Sequence, residues 1–255
     1  MSRTVLAAQL YTVREFTKTP EGIAETFAKV RKMGYRAVQT SGMGPIEPKA
    51  LRKIAKSEGL TICATHIGFD RLLNDMPGVI DEHKTIGCDN VAIGSMPVDY
   101  RTGAEKVKEF ARLANDAGAK LREAGLSFSY HNHSFEFEKV EGKLIMDLIY
   151  ENSAPENVLS ELDTYWVQHG GADPAAWVTK LSNRLTLLHL KDMTMRGREQ
   201  LMAEIGEGNL NWPAILKAAK KAKVRWYIVE QDTCQRDPFE SLAISLKNLQ
   251  AMGLK

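Results

Sequence analysis

Short β-rich runs alternate along the chain with longer helical patterns. The runs cover residues 5–11, 37–40, 60–66, 90–93, 126–131, 158–163, 185–189 and 225–230. Their starts lie 23 to 40 residues apart, scattered around the ~30 residues of one βα unit. Several are apolar on consecutive residues, such as Val91-Ala92-Ile93 and Trp226-Tyr227-Ile228-Val229. That pattern belongs to strands with both faces buried, as in parallel sheets. Between them, residues 20–33 carry Ile23, Phe27 and Val30 at helical spacing and stop at Gly34. Residues 48–57 end at Gly59, and 103–124 are closed by Gly125. Asp173-Pro174, Asn211-Trp212-Pro213 and Asp237-Pro238 each open a helix with a capping side chain and a proline in the first turn. Eight strands, each followed by a mainly helical segment, predict an α/β protein: a (β/α)8 TIM barrel in a single domain, 1–255. A doubly wound dinucleotide-binding sheet calls for a glycine-rich turn after the first strand, and residues 11–16 contain no glycine.

Composition agrees with this reading. The length of 255 residues suits one barrel or two small domains, and no Pro-, Gly- or Ser-rich linker divides it. Hydrophobic residues make up 44% and charged residues 26%, which excludes disorder, and the net charge of +2 offers no bulk attraction to DNA or an acidic membrane. Neither nucleic acid nor membrane is expected as a partner. Cys63, Cys88 and Cys234 show no CxxC spacing, so free thiols are expected. Only residues 5–8 are apolar before Gln9, too short for a signal-peptide core, and no stretch approaches 18 apolar residues. The expected compartment is the cytoplasm.

Barrel chemistry sits at the C-terminal ends of the strands. Read there, the chain offers Gln9, then His66, then Tyr130-His131-Asn132-His133 with Glu136. Glu161 and Asp163 follow, with Trp166 and His169, then His189, Lys191 and Asp192, and last Glu230 and Asp232. Five of the six histidines fall at these ends; His83 lies in a helix and reads as a solvated surface residue. Residues i and i+2 share a strand face, so Glu161/Asp163, His131/His133, His189/Lys191 and Glu230/Asp232 each point one way. Asp163, His189 and Glu230 come from three successive strands and converge as a mixed oxygen/nitrogen site for a divalent cation: Mn²⁺, Mg²⁺, Co²⁺ or Zn²⁺. Taken singly, each reads equally well as a strand cap or a partner of Lys191 or Arg236.

Ala8 to Arg14, Tyr130-His131-Asn132-His133 with Glu136-Phe137, and Leu162-Asp163-Thr164 form one ordered series. It continues through Leu188-His189-Leu190-Lys191-Asp192, Ile205-Gly206-Glu207-Gly208 with Trp212, and Trp226 to Glu230. In order and spacing this series resembles the xylose-isomerase-like barrels, the sugar phosphate isomerase/epimerase family, over nearly the whole chain, and is similar to its inosose dehydratase and keto-sugar lyase members. The resemblance implies a divalent metal on the C-terminal rim, held by side chains from strands five to eight. Asp163, His189 and Glu230 match the last three ligands. Where sugar epimerases of the family have a strand-five Glu, this chain places His131, with Glu136 as the other candidate.

The resemblance further implies an isomerase/epimerase-like enzyme that takes a proton α to a carbonyl through a metal-stabilised enolate. Dehydratase or lyase action on a keto-sugar or keto-inositol is the alternative. Glu230, His133 and Glu136 are candidate bases, and Lys191 would hold the developing oxyanion or act as an acid. Gln9, His66, Trp166 and Glu161 are candidates for binding substrate or orienting a histidine. The expected partner is a small sugar or polyol. Gly206-Glu207-Gly208 follows strand seven, where barrels often bind phosphate, but Glu207 would repel one. Barrels associate through helix faces, so a homo-oligomer is an open expectation. Abasic-site endonucleases share the barrel but need more metal ligands, and a sugar-binding protein without turnover would not need ligands converging with proton carriers.

Overall fold

The computed structural model describes residues 5–254. Eight parallel strands close into a barrel: β1 (Val5–Gln9), β2 (Ala37–Thr40), β3 (Thr61–Ile67), β4 (Asn90–Ile93), β5 (Ser127–His131), β6 (Leu159–Asp163), β7 (Leu185–Leu190) and β8 (Trp226–Val229). Each strand pairs with the next, and β8 returns to β1. This is the predicted (β/α)8 barrel. Helices Pro20–Met33 and Pro48–Ser57 have the expected bounds. Thr19, Asp173, Asn211 and Asp237 cap their helices through side-chain oxygens that accept backbone N–H groups. No helix among the described residues is long and apolar enough to cross a membrane.

The barrel interior changes character along its axis. Its closed end is packed by Ala7, Ala37, Ala64, Leu187, Trp226 and Ile228, a cluster separate from the main core between strands and helices. Two residues further on, the same inward rows turn polar: Ala7 leads to Gln9, Ala37 to Gln39, Ala64 to His66, Leu187 to His189, and Ile228 to Glu230. The apolar plug thus supports a layer of titratable side chains at the mouth. Two pairing irregularities adjust this layer. Register slips between Val38 and Gln39 where β2 meets β3, and between Ser160 and Glu161 where β6 meets β7. Such bulges re-aim side chains, and here they aim Gln39 and Glu161 at each other.

Three local expectations are corrected. The first run ends at Gln9, because Leu10–Phe16 winds into a 3₁₀ segment. Two antiparallel hairpins interrupt the αβ alternation: Lys139–Val140 with Lys143–Leu144, and Asp192–Arg196 with Glu199–Ala203. The second follows β7 almost at once; Gly197 at φ +61° turns it, and Met193 and Met202 pair on its buried side. His83 is not a surface residue. Its ring is fully buried, with Nδ1 against the Val79 carbonyl at 2.7 Å and Nε2 against the Thr65 hydroxyl at 2.7 Å. It ties helix Met76–Ile86 to β3, and burial lowers its pKa.

Truncating His83 removes both bonds and leaves a cavity. His83→Ala is expected to lose about 2–4 kcal/mol of stability in denaturant unfolding, with divalent-cation stoichiometry unchanged.

Candidate metal centre

His131, Asp163, His189 and Glu230 each present a donor atom, and these atoms lie within 4.8 Å of one another in full burial. β5, β6, β7 and the end of β8 supply one each. Asp163 does two jobs: Oδ1 accepts the Trp166 N–H at 3.0 Å and caps helix Thr164–His169, while Oδ2 faces the cluster. Its own N–H is held by Asn132 at 3.0 Å. His131 reaches Asp163 Oδ2 at 3.4 Å through Nε2, and its Nδ1 lies 3.1 Å from the Gly94 carbonyl.

His189 is oriented from the opposite wall. Gln39 donates from Nε2 to Glu161 Oε1 at 2.7 Å. An ionised carboxylate only accepts, so this bond fixes the amide and turns Gln39 Oε1 toward His189 Nε2, also at 2.7 Å. His189 therefore carries a proton on Nε2 and presents Nδ1 to Glu230 Oε2 at 2.9 Å and Asp163 Oδ2 at 3.9 Å. A histidine ligand fixed through its other nitrogen is the usual outer support of a metal site. His66 completes the support, its Nε2 on Glu161 Oε2 at 2.5 Å. His66, Glu161 and His189 also form a compact group, but Glu161 is already committed to Gln39 and His66.

The donor set fits a divalent cation, and a charge already stands in for one. Lys191 is fully buried, with Nζ 3.0 Å from Asp163 Oδ2, 2.9 Å from Glu230 Oε2 and 3.0 Å from Asp232 Oδ2. Burial opposes ionisation of all these groups, yet their mutual attraction overcomes it. Lys191 and His189 are raised, the latter to about 10, while Glu161, Asp163 and Glu230 are lowered. Buried charge is tolerable only when paired in this way. His133 goes the other way: burial, then the proximity of His131 and Lys191, lower it to about 3 and hold the ring neutral.

A cavity of about 490 Å³ opens above the cluster, lined by His66, His131, His133, Trp166, Glu230 and Asp232 among others. The remaining sequence candidates lie off its wall. Glu136 is buried beneath His133, accepting from the Tyr130 hydroxyl at 2.5 Å and the His133 N–H at 2.9 Å, outside the ligand cluster. Gln9 is buried, its oxygen accepting from the Tyr11 N–H at 3.3 Å. Glu161 is fully buried and adjoins the cavity through His66, which lines it. Gln39 was not among the sequence candidates. The signal for it was present: an inward Ala37 followed two residues later by a polar side chain, as on four other strands.

Residues 27–251 match the model of the xylose isomerase-like TIM barrel, and the chain belongs to that family. Among curated proteins it is similar to an inosose dehydratase of Geobacillus kaustophilus, 24% identical over 84% of this chain and 82% of that one. Among solved structures, a sugar phosphate isomerase/epimerase of Parabacteroides distasonis superimposes with a TM-score of 0.81 and 26% identity, covering 100% of this chain and 96% of the other. A probable 3-DHS dehydratase of Bacillus anthracis shares the fold alone, with a TM-score of 0.73 and 12% identity over 97% and 99% of the two chains.

Gln39→Met keeps the bulk of the side chain and loses both bonds. It is expected to weaken divalent-cation affinity about 10- to 100-fold by calorimetry while the fold survives. Glu136 supplies a second expectation. Burial raises its pKa from 4.5 to about 7, so between those values the folded protein holds a proton that the unfolded chain has released. Its contribution to stability therefore falls as pH rises through that window. Glu136→Gln should flatten the decline in unfolding free energy between pH 5 and 7; an unchanged slope would assign the decline elsewhere.

Proposed function

We propose that this protein is a divalent-metal-dependent enzyme that removes the proton α to the carbonyl of a sugar or polyol, the step shared by isomerisation, epimerisation and dehydration. The observation that carries this reading is the convergence of His131, Asp163, His189 and Glu230 directly below a cavity that also exposes a neutral imidazole. A divalent cation held by those four side chains would supply Lewis acidity to the substrate carbonyl. We assign His133 as the base: its ring lines the cavity and is held unprotonated by burial beside His131 and Lys191. Lys191, buried among Asp163, Glu230 and Asp232, adds positive charge behind the ligand cluster. Trp166 forms a wall of the cavity, its ring 5.0 Å from that of His133, and presents an apolar face for a sugar ring. Glu136 positions His133 through its backbone N–H.

One observation favours elimination as the outcome. Two-glutamate epimerisation needs a second carboxylate facing the substrate from strand five. Here His131 stands at that strand's end, and Glu136 is turned away into the wall. The similarity to an inosose dehydratase supports the same outcome. His66 lines the cavity and is bonded to Glu161, and we assign it as the group nearest a departing hydroxyl.

Proton abstraction is read directly as exchange of the α C–H of ketoses and inososes in deuterated solvent. Exchange is expected with the metal-loaded protein, lost after chelation and lost in His133→Ala with metal stoichiometry retained. Equal exchange with verified metal-free protein would sink the proposal. Release of water with formation of an unsaturated product marks elimination; a recovered epimer or aldose marks isomerisation.

A further inference from the structure

We infer that Asp232 is a positioning residue of this centre: it receives the Lys191 ammonium when a divalent cation takes Asp163 and Glu230. The inference rests on the metal site of the proposed function. It assigns that site a third carboxylate, one that holds no metal itself. Lys191 Nζ lies 3.0 Å from Asp163 Oδ2, 2.9 Å from Glu230 Oε2 and 3.0 Å from Asp232 Oδ2. The first two carboxylates belong to the ligand cluster and the third does not. Asp163 Oδ2 and Glu230 Oε2 are also the oxygens that His189 Nδ1 faces, at 3.9 Å and 2.9 Å. An ammonium and a dication cannot share them, because like charges so close repel strongly in a buried site. Lys191 is fully buried, and a buried ammonium left without a partner is costly. The other carboxylate it contacts is Asp232.

Asp232 suits this role by its position. Its side chain is 25% exposed, against none for Asp163 and 4% for Glu230, and it lines the cavity above the cluster. Among the described residues its carboxylate accepts from no donor other than Lys191. Its backbone is held from two sides. Met202 Sδ accepts the Asp232 N–H at 3.2 Å, and the Asp232 carbonyl accepts from Arg14 Nη1 at 3.0 Å. Met202 comes from the hairpin after β7 and Arg14 from the 3₁₀ segment after β1, so elements that carry no ligand fix this carboxylate. The Trp166 ring centre, 5.5 Å from Lys191 Nζ, adds a weaker attraction for the ammonium. Charge is matched in both arrangements. In one, a single ammonium serves three carboxylates; in the other, a dication serves two and the ammonium keeps the third. Lys191 stays charged throughout.

The test is a double-mutant cycle read by calorimetric titration of Mn²⁺ into chelator-stripped protein. Asp232→Asn strands the displaced ammonium and should bind Mn²⁺ at least about tenfold more weakly than the wild type. Asp232→Glu keeps a carboxylate and should recover most of that loss. Lys191→Met removes the ammonium and should bind more tightly than the wild type. Once it is gone there is nothing for Asp232 to receive, so Lys191→Met and Lys191→Met/Asp232→Asn should bind alike. A carboxylate that acted on the metal directly would weaken binding with or without Lys191. An Asp232→Asn loss of equal size in both backgrounds therefore overturns the inference, and so does wild-type affinity in Asp232→Asn. Lys191→Met leaves buried carboxylates without their cation and should melt about 10 °C lower after chelation, with Mn²⁺ restoring the difference. If it does not fold without metal, refolding in Mn²⁺ should rescue it, because a dication then compensates Asp163 and Glu230; no rescue counts against the inference. A wild type that takes up no divalent cation would refute the metal reading itself, and this inference with it.

Discussion

Removing three carboxylates from water at the mouth of a barrel is unfavourable unless each finds compensating charge, and most of this molecule's polar architecture follows from that requirement. Glu161, Asp163 and Glu230 are buried to within a few per cent, and isolated carboxylates there would take up protons. They stay ionised because Lys191 and His189 stand among them as cations, 2.9–3.0 Å from their nearest partners. Compensation of this kind weakens quickly with distance, so the strands that carry these residues must keep their register. The closed barrel and the apolar plug of Trp226, Leu187 and Ile228 beneath the charged layer hold it.

The same constraint explains why the site is supported from the far wall. Glu161 lies two residues before Asp163 on β6 and faces the same interior, where it would crowd the ligand cluster with negative charge. Gln39 and His66, from β2 and β3, draw its two oxygens away to the opposite side. Gln39 is suited to this because an amide donates to one partner and accepts from the other; it separates a carboxylate from an imidazole while bonding to both. The two register slips adjoin Gln39 and Glu161, and this is the local irregularity the network requires. Asp192 is another buried carboxylate with full partners, satisfied by the backbone N–H groups of Met193, Gly206, Gly208 and Leu210 and by the Trp212 indole N–H.

Much of this was legible in the chain. Consecutive apolar residues marked the strands, and capping side chains before proline marked the helix starts, because both signals are local. Rim residues such as Asp163, His189 and Glu230 followed from strand ends, since a barrel fixes where strand ends lead. What escaped was whatever depends on a partner remote in sequence. His83 reads as a solvated helix residue until Thr65, on β3, is seen to bond it. The hairpin 192–203 was not foreseen, because its buried methionines pair across the turn, a contact with no local signature. Gln39 carries no charge and titrates with nothing; its importance lies in bonds to residues 122 and 150 positions away.

The pairing that lets the chain fold also bears on its chemistry. Asp163 and Glu230 serve both Lys191 and the candidate ligand cluster, so the ammonium and an incoming cation compete for the same oxygens. His189 must likewise release a proton from Nδ1 before that nitrogen can act as a ligand, since Nε2 is held protonated by Gln39. A site built this way is pre-assembled, because its geometry is set by the protein's own charges before any ion arrives. A cation entering it would have to outcompete a buried ammonium and a proton together. The charge balance of the cluster thus rests on the same three residues, Lys191, His189 and Gln39.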